Sequence, residues 1–230
     1  MRIAVLTGAG ISAESGLRTF RASDGLWEDH RIEDVATPEA FQRDPELVHR
    51  FYNQRRQDAA AAQPNAAHQA LAKLARHVNL TLITQNVDDL HERGGSDRVI
   101  HMHGSLAGAL CAGCDHRWPA PLTMHPADRC PACAKPLTRP DIVWFGEMPY
   151  QMETIWEAVA KADIFAAIGT SGQVYPAAGL AQHARRCGAH TVELNLATSA
   201  VSRDFDTHYE GLASMAVPEW VETVIAMGQR

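Results

Sequence analysis

The stretch Arg2-Ile3-Ala4-Val5-Leu6-Thr7-Gly8-Ala9-Gly10-Ile11-Ser12-Ala13 decides the fold. Residues 2–6 are short, apolar and followed at once by glycines, which is the pattern of a buried strand. Gly8 to Ala13 then matches G-x-G-x-x-[G/A] and opens toward a helix, the context that a dinucleotide fingerprint requires. Glycines permit a tight turn and close backbone approach, and a helix start offers N–H groups to a pyrophosphate. Small residues at such a turn also arise from packing alone. One companion feature is absent. An acidic ribose reader belongs at the end of the next strand, about twenty residues on, yet Asp24-Gly25-Leu26-Trp27-Glu28-Asp29 does not read as a strand end. A second loop, Gly169-Thr170-Ser171-Gly172, leads through a helix to a strand end carrying Glu193 and Asn195. Two phosphate-type loops and a displaced ribose reader point to a dinucleotide bound across the sheet, in a pose unlike that of a standard dehydrogenase.

Outward from this stretch, strands are expected at 79–84, 99–103, 163–168 and 191–195. Helices are expected at 38–62, with Phe41, Leu47, Val48, Phe51 and Tyr52 on the apolar side, and at 65–77, 151–161 and 177–187. A last helix is expected at 218–228, with Pro218 in its first turn. Strands alternating with helices argue for an α/β, Rossmann-like, doubly wound parallel sheet, whose ligands bind outside the carboxyl ends of the strands. Residues 105–140 differ, being rich in proline and cysteine with little helical period, and read as an inserted module.

Cys111-Ala-Gly-Cys114 and Cys130-Pro-Ala-Cys133, with 15 residues between the pairs, have the spacing of a tetrahedral zinc site. Two disulfides or four unrelated thiols are the alternatives. Four cysteines leave no open coordination position, which favours a structural metal over a catalytic one. Cys187 stands apart and reads as a small core residue. Composition bounds the rest. The 230 residues are 46% hydrophobic and 21% charged, ordinary globular usage. The net charge of −6 gives no basic excess, so stable nucleic-acid binding is not expected. No apolar run is long enough to span a membrane and no secretory signal is read, so a cytoplasmic location is expected.

Together these motifs resemble the sirtuins, NAD-dependent protein lysine deacylases. The resemblance is carried by Gly8-Ala-Gly-Ile-Ser-Ala-Glu-Ser-Gly16 with Thr19-Phe20-Arg21, Gln85-Asn86-Val87-Asp88, His103-Gly104, the four cysteines, Phe145-Gly146-Glu147, Gly169-Thr170-Ser171 and Asn195. Phe51-Tyr52-Asn53-Gln54-Arg55-Arg56 brings it nearest the bacterial class III type, while Arg18 stands where many sirtuins have proline. The resemblance implies one catalytic domain, 1–230. Its large part spans about 1–30, 78–104 and 141–230. Its small domain combines a helical module at about 31–77 with the zinc module at about 105–140.

The same resemblance implies NAD as co-substrate and one structural zinc. NAD contacts are implied for Gly8, Ala9, Gly10, Ser12, Ala13, Glu14, Thr19, Phe20, Arg21, Trp27, Gln85, Asn86, Asp88, Gly169, Thr170, Ser171, Asn195, Leu196, Ala197 and Ala213. The acyl oxygen of a modified lysine attacks the ribose carbon, nicotinamide leaves, and the acyl group ends on ADP-ribose. His103 is the implied general base, and imidazole suits the task because its ordinary pKa lies near working pH. His101 lies on the same strand face and competes for the assignment. Asn86 and Asp88 equally suit a helix cap before Leu90, and Trp144 and Phe145 equally suit a core. Phe145-Gly146-Glu147 is implied to pair with substrate backbone as an added strand.

Tyr52 and Arg55 stand three apart and share a helix face, where a phenol and a guanidinium suit a carboxylate. In class III sirtuins such a pair reads the free acid of succinyl, malonyl or glutaryl lysine, and Ala36 is the small residue that leaves room. A solvated helix face is the plain alternative. The expected partners are acylated lysines on proteins or peptides, with no membrane attachment and a monomeric chain. A mono-ADP-ribosyltransferase and a non-enzymatic zinc-ribbon adaptor are the competing functions. The adaptor gives no reason for His103 or for two phosphate loops.

Overall fold

The computed structural model describes residues 1–18, 26–27 and 30–228, with Leu26 and Trp27 by backbone only. In chain order the elements begin with β1 (Arg2–Thr7), α1 (Gly10–Ala13), the short β2 (Leu26–Trp27) and β3 (His30–Arg31), and α2 (Ile32–Val35). There follow α3 (Pro38–Arg43), α4 (Pro45–Ala61), α5 (Ala66–Leu74), β4 (Asn79–Thr84), α6 (Leu90–Arg93) and β5 (Val99–His101). The inserted sheet is β6 (Gly104–Cys111), β7 (Arg117–Pro119) and β8 (Thr138–Ile142). The chain closes with α7 (Met152–Ala160), β9 (Ile164–Ile168), α8 (Leu180–Arg186), β10 (His190–Asn195), β11 (Thr207–Glu210) and α9 (Ala213–Gly228).

Among the described residues, six parallel strands form one sheet in the order β11-β10-β9-β1-β4-β5. By order of appearance in the sheet this is 6-5-4-1-2-3, the doubly wound arrangement. The strand order reverses between β1 and β9, so the loops after those two strands, at Gly8 and Gly169, flank the crevice where such sheets take ligands. One face of the sheet is covered by α5 and α9, through Leu71, Leu74, Val217, Trp220 and Val221. The other carries α7 and α8, through Ile155, Val159, Leu180 and Ala184. A third apolar cluster, with Val35, Val48, Phe51, Tyr52, Leu106 and Trp144, joins α2 and α4 to the inserted sheet.

Three expectations fail for identifiable reasons. The helix expected over 38–62 is two helices. Asp44 is non-helical (φ −146°, ψ 78°) and its carboxylate accepts from the Leu47 N–H at 2.9 Å, with Pro45 opening α4. A residue before proline avoids helical geometry, and aspartate favours the N-cap. The last helix starts at Ala213, not at Pro218. The Glu14 carboxylate accepts from both the backbone N–H (2.8 Å) and the hydroxyl (2.6 Å) of Ser214, and Ala216, Val217, Trp220 and Val221 bury one continuous face across the proline. Cys187 is exposed, because it follows the last turn of α8 and precedes Gly188 at φ +89°. The strand β11 was not expected. It is a four-residue edge strand whose exposure alternates between half-buried and exposed, too short for its period to stand out.

Candidate active site

β4 ends in Thr84 and β5 runs into His103, so both deliver their next residues to the carboxyl edge of the sheet. There a cleft of about 590 Å³ opens between the sheet and the third apolar cluster. That volume is in the ordinary range for a small-molecule site.

Side chains and backbone tie the cleft floor together. Asn86 donates its amide to Gly8 O (3.1 Å) and Ser12 Oγ (3.2 Å), while Ser12 Oγ donates to Asp88 Oδ2 at 3.2 Å. Burial pushes the Asp88 carboxyl upward, against the Leu90 N–H and the Ser12 hydroxyl, which hold it down. Asp88 therefore caps α6 and faces the cleft at once. Behind Ser12, buried His68 lies at 3.5 Å and makes a reciprocal cap with Asn65, opening α5. His91 packs edge-on against His68 and bonds Thr7 Oγ1 at 2.9 Å. Burial depresses both histidines, His68 to about 4 and His91 to about 3, so both are neutral at pH 7.

The glycine loops touch each other. A Cβ on Gly8 would sit 2.6 Å from Gly169 O, so any side chain there would push the two loops apart. On the far side Asn195 donates to Thr170 O at 2.8 Å and joins the second loop to the end of β10.

His101 and His103 separate cleanly. His101 has both nitrogens engaged, Nε2 with Glu92 Oε1 (2.8 Å) and Nδ1 with Asn86 O (3.2 Å). Burial opposes its charge, but Glu92 overrides that and raises its pKa, as an ion-paired structural group requires. His103 bonds Gln85 O through Nδ1 at 3.1 Å, and burial lowers its pKa against that bond. A carbonyl only accepts, so Nδ1 carries the proton and Nε2 presents its lone pair. Gly104 makes this position attainable. At φ +82°, a Cβ there would lie 2.1 Å from Asp141 O, so only glycine lets β6 meet β8 immediately after the histidine.

At the other end of the cleft α4 contributes Tyr52 and Arg55. Tyr52 is fully buried and its hydroxyl accepts from Trp144 Nε1 at 2.9 Å, and burial raises its pKa. Arg55, with 11% of its side chain exposed, pairs with Asp58 at 2.5 Å. Burial lowers the Arg55 pKa, Asp58 holds it up and Arg18 pushes it down. The neighbouring Arg56 is structural, donating to Leu106 O and Asn53 Oδ1 at 2.8 Å each. Glu147 is held in a two-pronged bond by Arg139 (2.7 and 2.9 Å) and also accepts from the Trp144 N–H. Burial raises its carboxyl, but Arg139 and the Trp144 N–H together outweigh that and hold it below its usual range. Phe145-Gly146-Glu147 is a turn here, with Phe145 44% exposed and its N–H donated to Ala36 O at 3.0 Å. Trp144 is core.

Of the residues expected at the site, Ala9, Gly10, Ser12, Gln85, Asn86, Asp88, His103, Gly169, Thr170, Ser171, Asn195, Leu196 and Ala197 line the cleft. So do Ala36, Tyr52, Arg55, Phe145, Gly146 and Glu147. Gly8 is buried in the contact with Gly169. Ala13, Glu14 and Ala213 are not among the lining residues, and Glu14 caps α9. Thr19, Phe20 and Arg21 lie outside the described residues, as does the side chain of Trp27. Sequence reading missed Asp58 and Tyr175 in the lining. Asp58 stands one turn after Arg55, a spacing that could have revealed it.

The four cysteines converge, with all four sulfurs within 4.8 Å of one another. Cys111 and Cys133 Sγ are 3.6 Å apart and Cys114 and Cys130 Sγ 3.7 Å. A disulfide needs about 2 Å, whereas the edge of a tetrahedron with zinc–sulfur bonds of about 2.3 Å is close to these separations. Backbone N–H groups of Gly113 and Ala132 point at Cys111 and Cys130 Sγ at 3.4 Å, as around thiolate ligands. The residues fit a structural zinc. Among the described residues no helix is long and apolar enough to cross a membrane.

Comparison with known proteins supplies independent findings. The Sir2 family pattern matches residues 8–176. The NAD-dependent protein deacylase of Escherichia coli K12 is 57% identical over 231 residues, covering 97% of this chain and 82% of that protein. That of Vibrio cholerae serotype O1 is 54% identical, covering 99% and 95%. Among solved structures, a Sir2 homolog–NAD complex aligns at 41% identity and TM-score 0.90, covering 99% of this chain and 90% of that one. A Sir2–p53 peptide–NAD+ complex aligns at 30% identity and TM-score 0.79, covering 99% and 93%.

Proposed function

The chain belongs to the Sir2 family, and we propose that it is an NAD-dependent protein deacylase that removes acidic acyl groups as well as acetyl from lysine side chains. The acids in question are succinyl, malonyl and, at the longer end, glutaryl. When bound, NAD supplies the ribosyl electrophile, the leaving nicotinamide and the final acyl acceptor. The chain's residues do the rest. His103 Nε2 takes a proton from a ribose hydroxyl, while Gln85 O fixes the Nδ1–H tautomer. Asn86, Asp88 and Ser12, already joined to one another, orient the nicotinamide ribose and carboxamide. The nearby carboxylate of Asp88 favours the cationic ribosyl character that develops as the bond breaks. The loops at Ala9, Gly10 and Ser171 hold the pyrophosphate, and Asn195, Leu196 and Ala197 hold the adenosine. Cys111, Cys114, Cys130 and Cys133 hold zinc, which keeps the inserted sheet folded.

One observation carries the acyl reading. A buried phenol and a nearly buried guanidinium line the same cleft as His103, and removal of acetyl alone gives no reason for a cation there. Ala36, 2% exposed and small, leaves room beside them. The partners are acylated lysines on proteins or peptides, held by backbone along Phe145-Gly146-Glu147, and the chain works in the cytoplasm. Arg55→Met is the test. Desuccinylation kcat/KM should fall about a hundredfold, as expected for loss of a charge-assisted bond, and deacetylation should fall far less. Equal effects on the two substrates contradict the reading.

A further inference from the structure

We propose that Asp58 is an internal stand-in for the acyl carboxylate: it occupies the Arg55 guanidinium when no acid is bound and so sets the preference between acidic and uncharged acyl groups. This inference rests on the acid-recognition role given to Arg55 above.

Asp58 lies three residues after Arg55 on α4, so the two side chains meet on one face. Its Oδ2 accepts from Arg55 Nη2 at 2.5 Å and its Oδ1 from Gln54 Nε2 at 2.8 Å. The carboxylate is thus fixed at both oxygens. Asp58, Arg55 and Tyr52 all line the cleft that His103 lines. Arg55 is 11% exposed and Asp58 37%, so the cation is withdrawn from water while its partner keeps one side in it.

A guanidinium in that position is costly unless something compensates its charge. Asp58 supplies the compensation from within the chain. An arriving acyl carboxylate therefore meets an Arg55 whose charge is already partly neutralised. It must displace Asp58 from Nη2 or share the guanidinium with it, and two carboxylates at one cation repel. An uncharged acyl group faces no such contest, because Arg55 stays paired while acetyl occupies the cleft. Asp58 thus weakens the hold on acids and keeps the pocket open to acetyl. Among the described residues, Arg18 also lines the cleft and repels Arg55 electrostatically.

The test compares the intact protein with Asp58→Asn, which keeps an oxygen for Arg55 and removes only the charge. Asp58→Gln serves as a second variant, and thermal melts check that each is folded. kcat and KM are measured for succinyl-lysine and acetyl-lysine on one peptide backbone at saturating NAD, with Arg55→Met in parallel. The succinyl-to-acetyl ratio of kcat/KM should rise about tenfold in both Asp58 variants, mainly through a lower succinyl KM. A ratio that is unchanged or falls, with desuccinylation still dependent on Arg55, overturns the role of Asp58 alone and leaves it merely holding Arg55. Desuccinylation that does not depend on Arg55 overturns the acid-recognition reading and this inference with it.

Discussion

The two ends of the cleft are built by different means. The end proposed for the cofactor is made of backbone: two glycine loops in contact, bound to the strand ends by Asn86 and Asn195. The end proposed for the acyl group is made of side chains from one helix, Tyr52, Arg55 and Asp58, braced by Trp144. Backbone geometry tolerates little change and serves one ligand. Side chains on a helix face can be exchanged without moving the fold, so the acyl end is where specificity can change while the chemistry stays fixed. In the proposed mechanism His103, which lines the same cleft, serves both ends.

That division can be broken by experiment. The largest effect belongs to His103. His103→Ala should lower kcat about a thousandfold for acetyl and succinyl substrates alike, in single-turnover assays. A loss confined to one acyl group would remove His103 from the shared chemistry. Gly8→Ala comes next. Its methyl would meet Gly169 O at 2.6 Å, so the loops must separate. The KM for NAD should rise about tenfold, the usual scale of such overpacking, with the succinyl-to-acetyl ratio unchanged. A changed ratio would mean that the two ends are coupled. Tyr52→Phe is smaller and should shift only the acyl end, raising the succinyl KM by about three- to tenfold, as loss of one hydrogen bond does.

The smallest effect at neutral pH is on stability. His68 and His91 stay neutral in the folded chain, at about 4 and about 3, but titrate near 6.5 when unfolded. Below pH 6.5 the unfolded chain binds more protons, so the contribution of these groups is full above that pH and falls as pH drops from 6.5 toward about 4 for His68 and about 3 for His91. Urea midpoints at pH 7.5 and 5 should show the decline, and His68→Gln should flatten it.

Much of this was legible in the sequence because the relevant signals are local. The strand running into Gly8-Ala9-Gly10 and the two Cys-x-x-Cys pairs each declare their geometry within a few residues. The break at Asp44-Pro45 was equally local and was overlooked, since the apolar positions on either side ran in one helical period. Other features were not local. Glu14 caps α9, some 200 residues away, and that contact decides where the last helix begins. The distinction between His101 and His103 depends on Glu92 and Gln85, brought near only by the fold. The Gly8 loop presses on Gly169, so part of what reads as a phosphate cradle is a contact between loops. For Asp58 the spacing to Arg55 was visible, but its place in the cleft was not.

The most direct measurement follows nicotinamide and peptide mass together while the purified protein acts on NAD and a succinyl-lysine peptide. Each mole of nicotinamide released should accompany loss of one succinyl mass from the peptide and its appearance on ADP-ribose. Nicotinamide released without that loss, or an ADP-ribose mass gained by the peptide or the protein, would contradict the account.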